Sequence, residues 1–323
     1  MNVLILHDRI EDGASPDAAD ALTQAEVFER CLTPNGHRCT RLGVDLDLRP
    51  VAARVQEADV VVNLVESLNG RGSLIHLVPA LVESIGTPMT GCPAHAIATT
   101  SSKLAAKRVL ATEGIPTPPW VGPCQPGPTD GRWIIKSVWE HASIGLGPDS
   151  IVDAGGIDVA RQIAARAPQL GGHAFAERFI EGREFNLALL ETADGVRLLP
   201  PAEILFLDFP PDRPRIVDYA AKWDEASHEY HHTPRRYDFG ADDASLLGDL
   251  ESLARRCWSA FGLGGYARVD FRVDADGRPW VLEVNTNPCL SPDAGFMAAA
   301  TQAGLRENDV IGHIIDAARR ASD

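Results

Sequence analysis

Over its first hundred residues the chain alternates short apolar runs with amphipathic stretches. The runs Asn2–Leu6, His37–Leu42 and Asp59–Leu64 predict strands, and Asp17–Cys31, Val51–Gln56 and Leu74–Ser84 predict helices. Alternation of this kind predicts a parallel sheet with helices on its faces. It looks like a dinucleotide-binding domain, but no Gly-x-Gly-x-x-Gly follows the first strand, which rejects a nicotinamide cofactor. Ser101–Glu113 reads as one helix, capped by Ser101 or Ser102 and stopped by Gly114. A Pro-rich run from Pro116 to Pro128 ends this first region.

Further on, Trp133–Ser137 reads as a strand leading into a polar, glycine-containing loop, Glu140–Gly147. A helix near Asp158–Ala167 and strands at Ala174–Phe179, Glu184–Leu190, Gly195–Leu199 and Ala202–Leu207 follow. Lys222–Phe239 is long, polar and aromatic without clear periodicity, and loops of that length are often lids. His228, His231 and His232 within it read as solvent-facing lid residues rather than a metal cluster, since no scaffold presents them together. Helices at Asp242–Phe261 and Asp309–Ala321 flank the segment with the strongest chemical signal.

That segment is a predicted β-hairpin. Two alternating runs, one ending at Val273 or Asp274 and the other starting at Pro279, are joined by Asp274-Ala-Asp-Gly277. The register sets Asp270 opposite Glu283 and Arg268 opposite Asn285, with all four side chains on one face. Val269, Phe271, Leu282 and Val284 are expected to face the core. Two carboxylates directly opposite one another repel, and a hard cation such as Mg²⁺, which prefers oxygen ligands and shares its shell with phosphate, removes that penalty. The bland alternative is a solvated charged face.

At 323 residues the chain is long enough for two or three subdomains. A net charge of -15 argues against nucleic-acid or anionic-membrane partners, while leaving room for a recessed basic cleft such as an ATP site. No apolar run approaches a membrane span, and the opening Met-Asn-Val-Leu-Ile-Leu reads as a first strand rather than a targeting segment. Six cysteines without Cys-x-x-Cys or zinc spacing read as free thiols, so the cytoplasm is the expected compartment.

Several ordered motifs carry a resemblance. They are Thr90-Gly91, Ser102-Lys103, Gly114-Ile-Pro-Thr-Pro118, Lys136, Ser143-Ile-Gly145, Glu177-Arg-Phe-Ile-Glu-Gly-Arg-Glu184, Asp218-Tyr-Ala-Ala-Lys222 and the hairpin. Together they resemble the ATP-grasp ligases, most closely the D-alanine–D-alanine ligase family, over nearly the whole chain. The resemblance implies an α/β ATP-grasp fold in three parts. These are a Rossmann-like subdomain over 1–98, a central subdomain over 99–182 and a C-terminal subdomain over 183–323 that carries the metal. It also implies ATP and two Mg²⁺ ions as cofactors, small-molecule carboxylate and amine substrates, and a homodimer.

In such a ligase the γ-phosphoryl of ATP passes to a carboxylate, and an amine attacks the acyl phosphate. By resemblance, Asp270, Glu283 and Asn285 hold the metal. Lys103, Lys136 and Lys222 neutralise phosphate oxygens, Ser143 donates to them, and Glu184 takes the ribose hydroxyls. Glu177 and the backbone of Arg178 to Ile180 take the adenine edge, and Arg268 stabilises the oxyanion on the acyl carbon. An α-amine with a pKa near 8 is partly neutral at cellular pH, so a strong general base is not obligatory.

The departures from that family touch the substrates rather than ATP. The family's Gly-Ser-Ser phosphate loop reads His141-Ala142-Ser143 here, and the tyrosine after the loop lysine is Trp223. The family's Pro-Gly-Met run and later serine are replaced by Pro288-Cys-Leu-Ser-Pro-Asp-Ala-Gly-Phe296. Asp293 would there repel a substrate carboxylate. The family's N-terminal substrate-binding glutamate is not recognisable; Asp17 and Asp20 stand near its place. The expectation is ligation of something other than two D-alanines, with an amine partner that lacks a free carboxylate or carries positive charge. Rival readings are a true D-alanine–D-alanine ligase, an ATP-grasp kinase or carboxylase, and a nucleotide-binding regulator without turnover.

Overall fold

In the computed structural model, which describes residues 1–10, 13, 15–141 and 143–321, the alternating first segment forms a three-stranded parallel sheet. Its strands β1 (Asn2–Asp8), β2 (Arg38–Val44) and β3 (Val60–Leu64) lie in the order β2-β1-β3. Helices α1 (Pro16–Leu32), α2 (Arg49–Val55) and α3 (Leu77–Ile85) cover it. The period of two along β1 divides its apolar residues between two cores. Val3 and Ile5 pack with Phe28 and Cys31 of α1, while Leu4 and Leu6 pack with Val51, Val55, Val78 and Val82.

The helix expected over Ser101–Glu113 is α5 (Lys103–Thr112), and a separate helix, α4 (Ala94–Ser101), runs directly into it. Ser102 between them is extended, and its hydroxyl caps α5 by accepting Ala105 N–H at 3.3 Å. Of the two candidate caps, Ser102 is the one used, and it leaves Lys103 as the first residue of α5. A four-stranded antiparallel sheet follows, built from β4 (Trp120–Val121), β5 (Arg132–Ser137), β6 (Ile151–Asp153) and β7 (Ala174–Arg178) in the order β4-β7-β5-β6, with α6 (Val159–Arg166) against it.

The remaining residues build a six-stranded sheet. Its strands are β8 (Arg183–Thr192), β9 (Gly195–Leu198), β10 (Ala202–Ile204), β11 (Arg235–Arg236), β12 (Tyr266–Val273) and β13 (Pro279–Asn285). The order is β11-β10-β8-β12-β13, with β9 on the far part of β8. Between β10 and β11 the segment expected to be a lid contains two short helices, α7 (Tyr219–Trp223) and α8 (His228–His231). Helix α9 (Ala244–Phe261) lies on this sheet together with α4 and α5, since Ala96, Ile97, Ala106 and Leu110 share its core. Helices α10 (Gly295–Gln302) and α11 (Glu307–Arg320) cover the other face and close the core of the first sheet as well. Among the described residues no helix is long and apolar enough to cross a membrane. The passage from β7 into β8 requires glycine: at Gly182, φ is 142° and a Cβ would lie 1.9 Å from the carbonyl oxygen of Val273.

The hairpin register agrees with the sequence as far as Asp270 and then departs from it. Arg268 faces Asn285 and Asp270 faces Glu283, but Phe271 faces Val281. The extra residue is Leu282, a β-bulge that turns its side chain toward the cavity described below. Val281 takes the core position expected of Leu282 and is fully buried. The outer edge of β13 is bound at the same point, where Val281 N–H donates to Pro116 O at 2.8 Å and Thr117 Oγ1 donates to Val281 O at 2.8 Å. Val281→Ser is therefore expected to cost about 2–4 kcal/mol in urea unfolding, against no more than about 1 kcal/mol for Leu282→Ser. The reverse order would restore the unbulged register.

Candidate active site

Every residue assigned above to ATP, metal or catalysis lines one cavity of about 510 Å³: Lys103, Lys136, Ser143, Glu177, Arg178, Ile180, Glu184, Lys222, Arg268, Asp270, Glu283 and Asn285. Its floor is the polar face of β12 and β13. Asp270 accepts Nε and Nη2 of Arg268 at 2.7 and 2.8 Å and Nδ2 of Asn186, its neighbour on β8, at 2.8 Å. Glu283 Oε1 lies 2.9 Å from His141 Nδ1 and 3.9 Å from Lys103 Nζ. Burial alone would push the Glu283 carboxyl up, but Lys103, His141 and Lys222 hold it well below the usual carboxylate range. Asn285 Oδ1 accepts Asn287 N–H at 2.9 Å and keeps a second lone pair. Two carboxylates and an amide oxygen on one face fit a hard divalent cation such as Mg²⁺.

The lysines differ in what they touch. Lys103 Nζ donates to Glu140 O at 2.6 Å. Lys222, placed on α7 by an Asp218 cap, has no hydrogen-bond or ion-pair partner among the described residues. Burial, and after it the nearby Arg268, lower its pKa. Lys136 Nζ sits 2.5 Å from Glu177 Oε1, and Lys107 Nζ sits 2.7 Å from Oε2 and donates to Thr117 Oγ1 at 2.8 Å. Glu177 and Lys107 are each 1% exposed. Burial would raise the Glu177 carboxyl, but the two lysines more than offset it and lower it. Glu177 thus positions Lys136 within the cavity wall. Nothing in the sequence singles out Lys107 except its place one helical turn after Lys103.

The loop after β5 turns through Ser143 and Gly145, with φ of 62° and 72°. A Cβ on Gly145 would meet Leu170 at 2.3 Å, so glycine is needed there. The Ser143 hydroxyl donates to Val217 O on the lid segment at 2.9 Å, and Ala142 lies outside the described residues. At the hinge, Arg178 N–H is bound to Pro119 O and Phe179 N–H to Arg132 O, which leaves Ile180 N–H without an acceptor among the described residues. Glu184 pairs with Arg272 at 3.0 Å. Ile134, Ile180 and Leu282 give this end of the cavity apolar walls. On the lid, His228 and His231 are exposed, and His232 stacks on His228 at 3.7 Å between ring centroids.

The far end of the cavity is acidic. Asp20 on α1 accepts Ser291 Oγ at 2.6 Å, Cys289 Sγ at 2.9 Å and Gln24 Nε2 at 3.0 Å. Beside it Glu66, just beyond β3, also lines the cavity, near Gln24. No sequence signal pointed to Glu66, a single acid after an apolar strand. Burial, reinforced by Asp8 and Asp20, pushes its carboxyl up to about 8. At the rim, Asp293 is exposed and its backbone carbonyl accepts Arg235 Nη1 at 3.0 Å.

Two stability effects follow. Lys107→Met removes one cation from a buried ion cluster and is expected to cost about 3–5 kcal/mol in urea unfolding. The Lys107→Met, Glu177→Gln double variant should recover part of that loss, and equal losses would contradict the pairing. For Glu66 the folded state holds its proton longer than the unfolded chain. Its contribution is therefore full below pH 4.5 and is lost as pH rises to about 8. Glu66→Gln is expected to gain stability relative to wild type across that window, and a pH-independent difference would contradict the assignment.

Comparison with known proteins places this geometry in a family. The model for the D-ala D-ala ligase C-terminus matches residues 133–316. A D-alanine–D-alanine ligase of Synechococcus sp. (strain JA-3-3Ab) is 30% identical over 331 residues, spanning 100% of this chain and 95% of that protein. One from Moorella thermoacetica is 29% identical over 320 residues, spanning 95% and 96%. The D-alanine–D-alanine ligase from Bacillus anthracis complexed with ATP shares the fold, with a TM-score of 0.75 over 100% of this chain and 98% of that one, at 18% identity. The ATP-grasp fold expected from the sequence is borne out. The chain belongs to the D-alanine–D-alanine ligase family of ATP-grasp carbon–nitrogen ligases.

Proposed function

We propose that this chain is an ATP-dependent carboxylate–amine ligase that works through an acyl phosphate on small-molecule substrates in the cytoplasm. The observation that carries this reading is the basic end of the cavity, where Lys103, Lys136, Lys222 and Arg268 converge on a face bearing Asp270, Glu283 and Asn285. Such an end suits a polyphosphate and a charged transferring group. Asp270, Glu283 and Asn285 would hold Mg²⁺, which when bound neutralises phosphate charge. Lys222 is the cation best placed to meet a phosphate, because no described residue hydrogen-bonds or ion-pairs with its ammonium. Lys136, held by Glu177, stands ready beside it. Ile134 and Leu282 offer apolar faces to a base, and Ile180 N–H an unclaimed donor to its edge. Arg268, rigid through its two bonds to Asp270, would stabilise the oxyanion during amine attack. The division into 1–98, 99–182 and 183–323 follows the three sheets, with the cavity lined from all three parts.

The substrates are proposed to be other than two D-alanines. Of the polar groups after Asn285, Cys289 and Ser291 are engaged by Asp20, and Asp293 adds negative charge at the rim. A second carboxylate would have only Arg235 at that rim, whose Nη1 is already given to the Asp293 carbonyl. Trp223 adds bulk to the same wall.

Mg²⁺-ATP-dependent ADP release across single and paired amino acids, D-alanine included, tests this with mass spectrometry of the products. The expected outcome is release that needs two partners and yields a product one water lighter than their sum, from a pair other than two D-alanines. D-alanyl-D-alanine as the main product would overturn the substrate proposal, and ADP release with one partner alone would favour a kinase. Glu283→Gln is expected to lower turnover at least about 10²-fold while ATP still binds; unchanged turnover would remove Glu283 from the site.

A further inference from the structure

We propose that Glu66 receives the ammonium group of the amine substrate and takes the proton whose loss frees the nitrogen lone pair. The role rests on the ligase reading above and goes beyond it, since nothing in that reading assigns a proton acceptor.

The first support is the polarity of the cavity. Its basic end, around Lys103, Lys222 and Arg268, suits the phosphoryl donor, and the opposite end is walled by Asp20 and Glu66. The second is that these acids have no ion-pair partner among the described residues. The groups facing Glu66 are Asp8 from β1, Asp17, Asp20 and Gln24 from α1, and Tyr266 from β12. His7 stands beside Asp8, with its Nδ1 2.7 Å from the Asp8 carbonyl oxygen. Among the described residues no lysine, arginine or histidine forms an ion pair with Glu66, Asp20 or Asp8. Clustered carboxylates without a counter-charge are costly, and a cationic ligand relieves them.

The third support separates Glu66 from its neighbours. Asp20 already accepts from Gln24, Cys289 and Ser291. Asp8 accepts Glu66 N–H at 2.7 Å, Ser67 N–H at 3.2 Å and Ser67 Oγ at 2.6 Å. Gln24 beside Glu66 only partly offsets the rise in the Glu66 pKa, and Glu66 lines the cavity. Its raised pKa of about 8 brings it close to that of an α-amine, the match a proton acceptor needs near neutral pH.

The step balances. The ammonium gives one proton to the Glu66 carboxylate, and the nitrogen lone pair forms the C–N bond at the acyl carbon. The C–O bond to phosphate then breaks, and phosphate leaves with the electron pair. The nitrogen loses a second proton to phosphate, and Glu66 returns its own to solvent. An amine substrate that enters as a cation is the class this wall selects.

Hydroxylamine separates the outcomes, because it is neutral at pH 7 and attacks an acyl phosphate without first losing a proton. Wild type, Glu66→Gln and Glu66→Asp are supplied with Mg²⁺-ATP and each panel carboxylate. Each is run once with hydroxylamine and once with the amine that releases most ADP. Glu66→Gln is expected to form hydroxamate within about twofold of wild type, yet to lose at least about 10²-fold in kcat/KM for the amine. Glu66→Asp should recover part of the loss. Equal losses with both nucleophiles, or no loss with either, would overturn the proposal. Absence of hydroxamate from wild type with every carboxylate would overturn the acyl-phosphate reading instead.

Discussion

Two carboxylates facing each other across one hairpin, Asp270 and Glu283, constrain the rest of the site. Neither can sit there unaccompanied on the floor of a partly buried cavity. The protein answers with nitrogen-bearing side chains close to both. Arg268 comes from the same strand, Lys103 from the first residue of α5, and His141 from the loop after β5. The contacts of Lys103 and His141 tie two other parts of the chain to the hairpin. The break at Ser102 that starts α5 at Lys103, and the left-handed turn at Ser143 after His141, are local features whose consequence is felt at Glu283.

The same logic extends outward. Glu177, buried on β7, is held by Lys107 and Lys136 and so fixes a cavity-lining lysine without exposing a free charge. Lys222 is the exception, a buried ammonium with no partner among the described residues, on a helix of the lid segment. A lysine and a group of acids that both line the cavity without an ion-pair partner among the described residues describe a site built for ligands of both signs. A phosphorylated carboxylate and an incoming amine are such a pair. In this view the substrates complete an electrostatic arrangement that the protein leaves open.

Much of this was legible in the sequence because hairpins obey a strict period. The Asp274–Gly277 turn and the alternation on either side fixed the facing pairs Arg268–Asn285 and Asp270–Glu283, and both are found. What the period could not show was the bulge at Leu282, because an extra residue leaves the local alternation intact on each side. The cap of α5 at Ser102 was legible as well, whereas α4, which runs directly into it, was not among the expected elements. Lys107 and Glu66 were out of reach because their meaning lies in burial and in partners far along the chain. A lysine one turn from another on a helix usually faces solvent, and an acid after a strand usually ends it. Asp17 and Asp20 were noticed as stand-ins near an expected substrate contact. Asp20 does line the cavity, while Asp17 accepts the hydroxyl of Tyr219 on the lid helix at 2.7 Å.

The account's central claim is that a carboxylate is activated by phosphorylation within the cavity floored by Asp270 and Glu283. The most direct measurement is to supply the carboxylate substrate labelled with oxygen-18 in both carboxyl oxygens and to analyse the inorganic phosphate released during turnover. The account predicts one labelled oxygen transferred to phosphate for each product formed. Phosphate free of label while amide product accumulates would contradict it, because the carboxylate would then have been activated by another route.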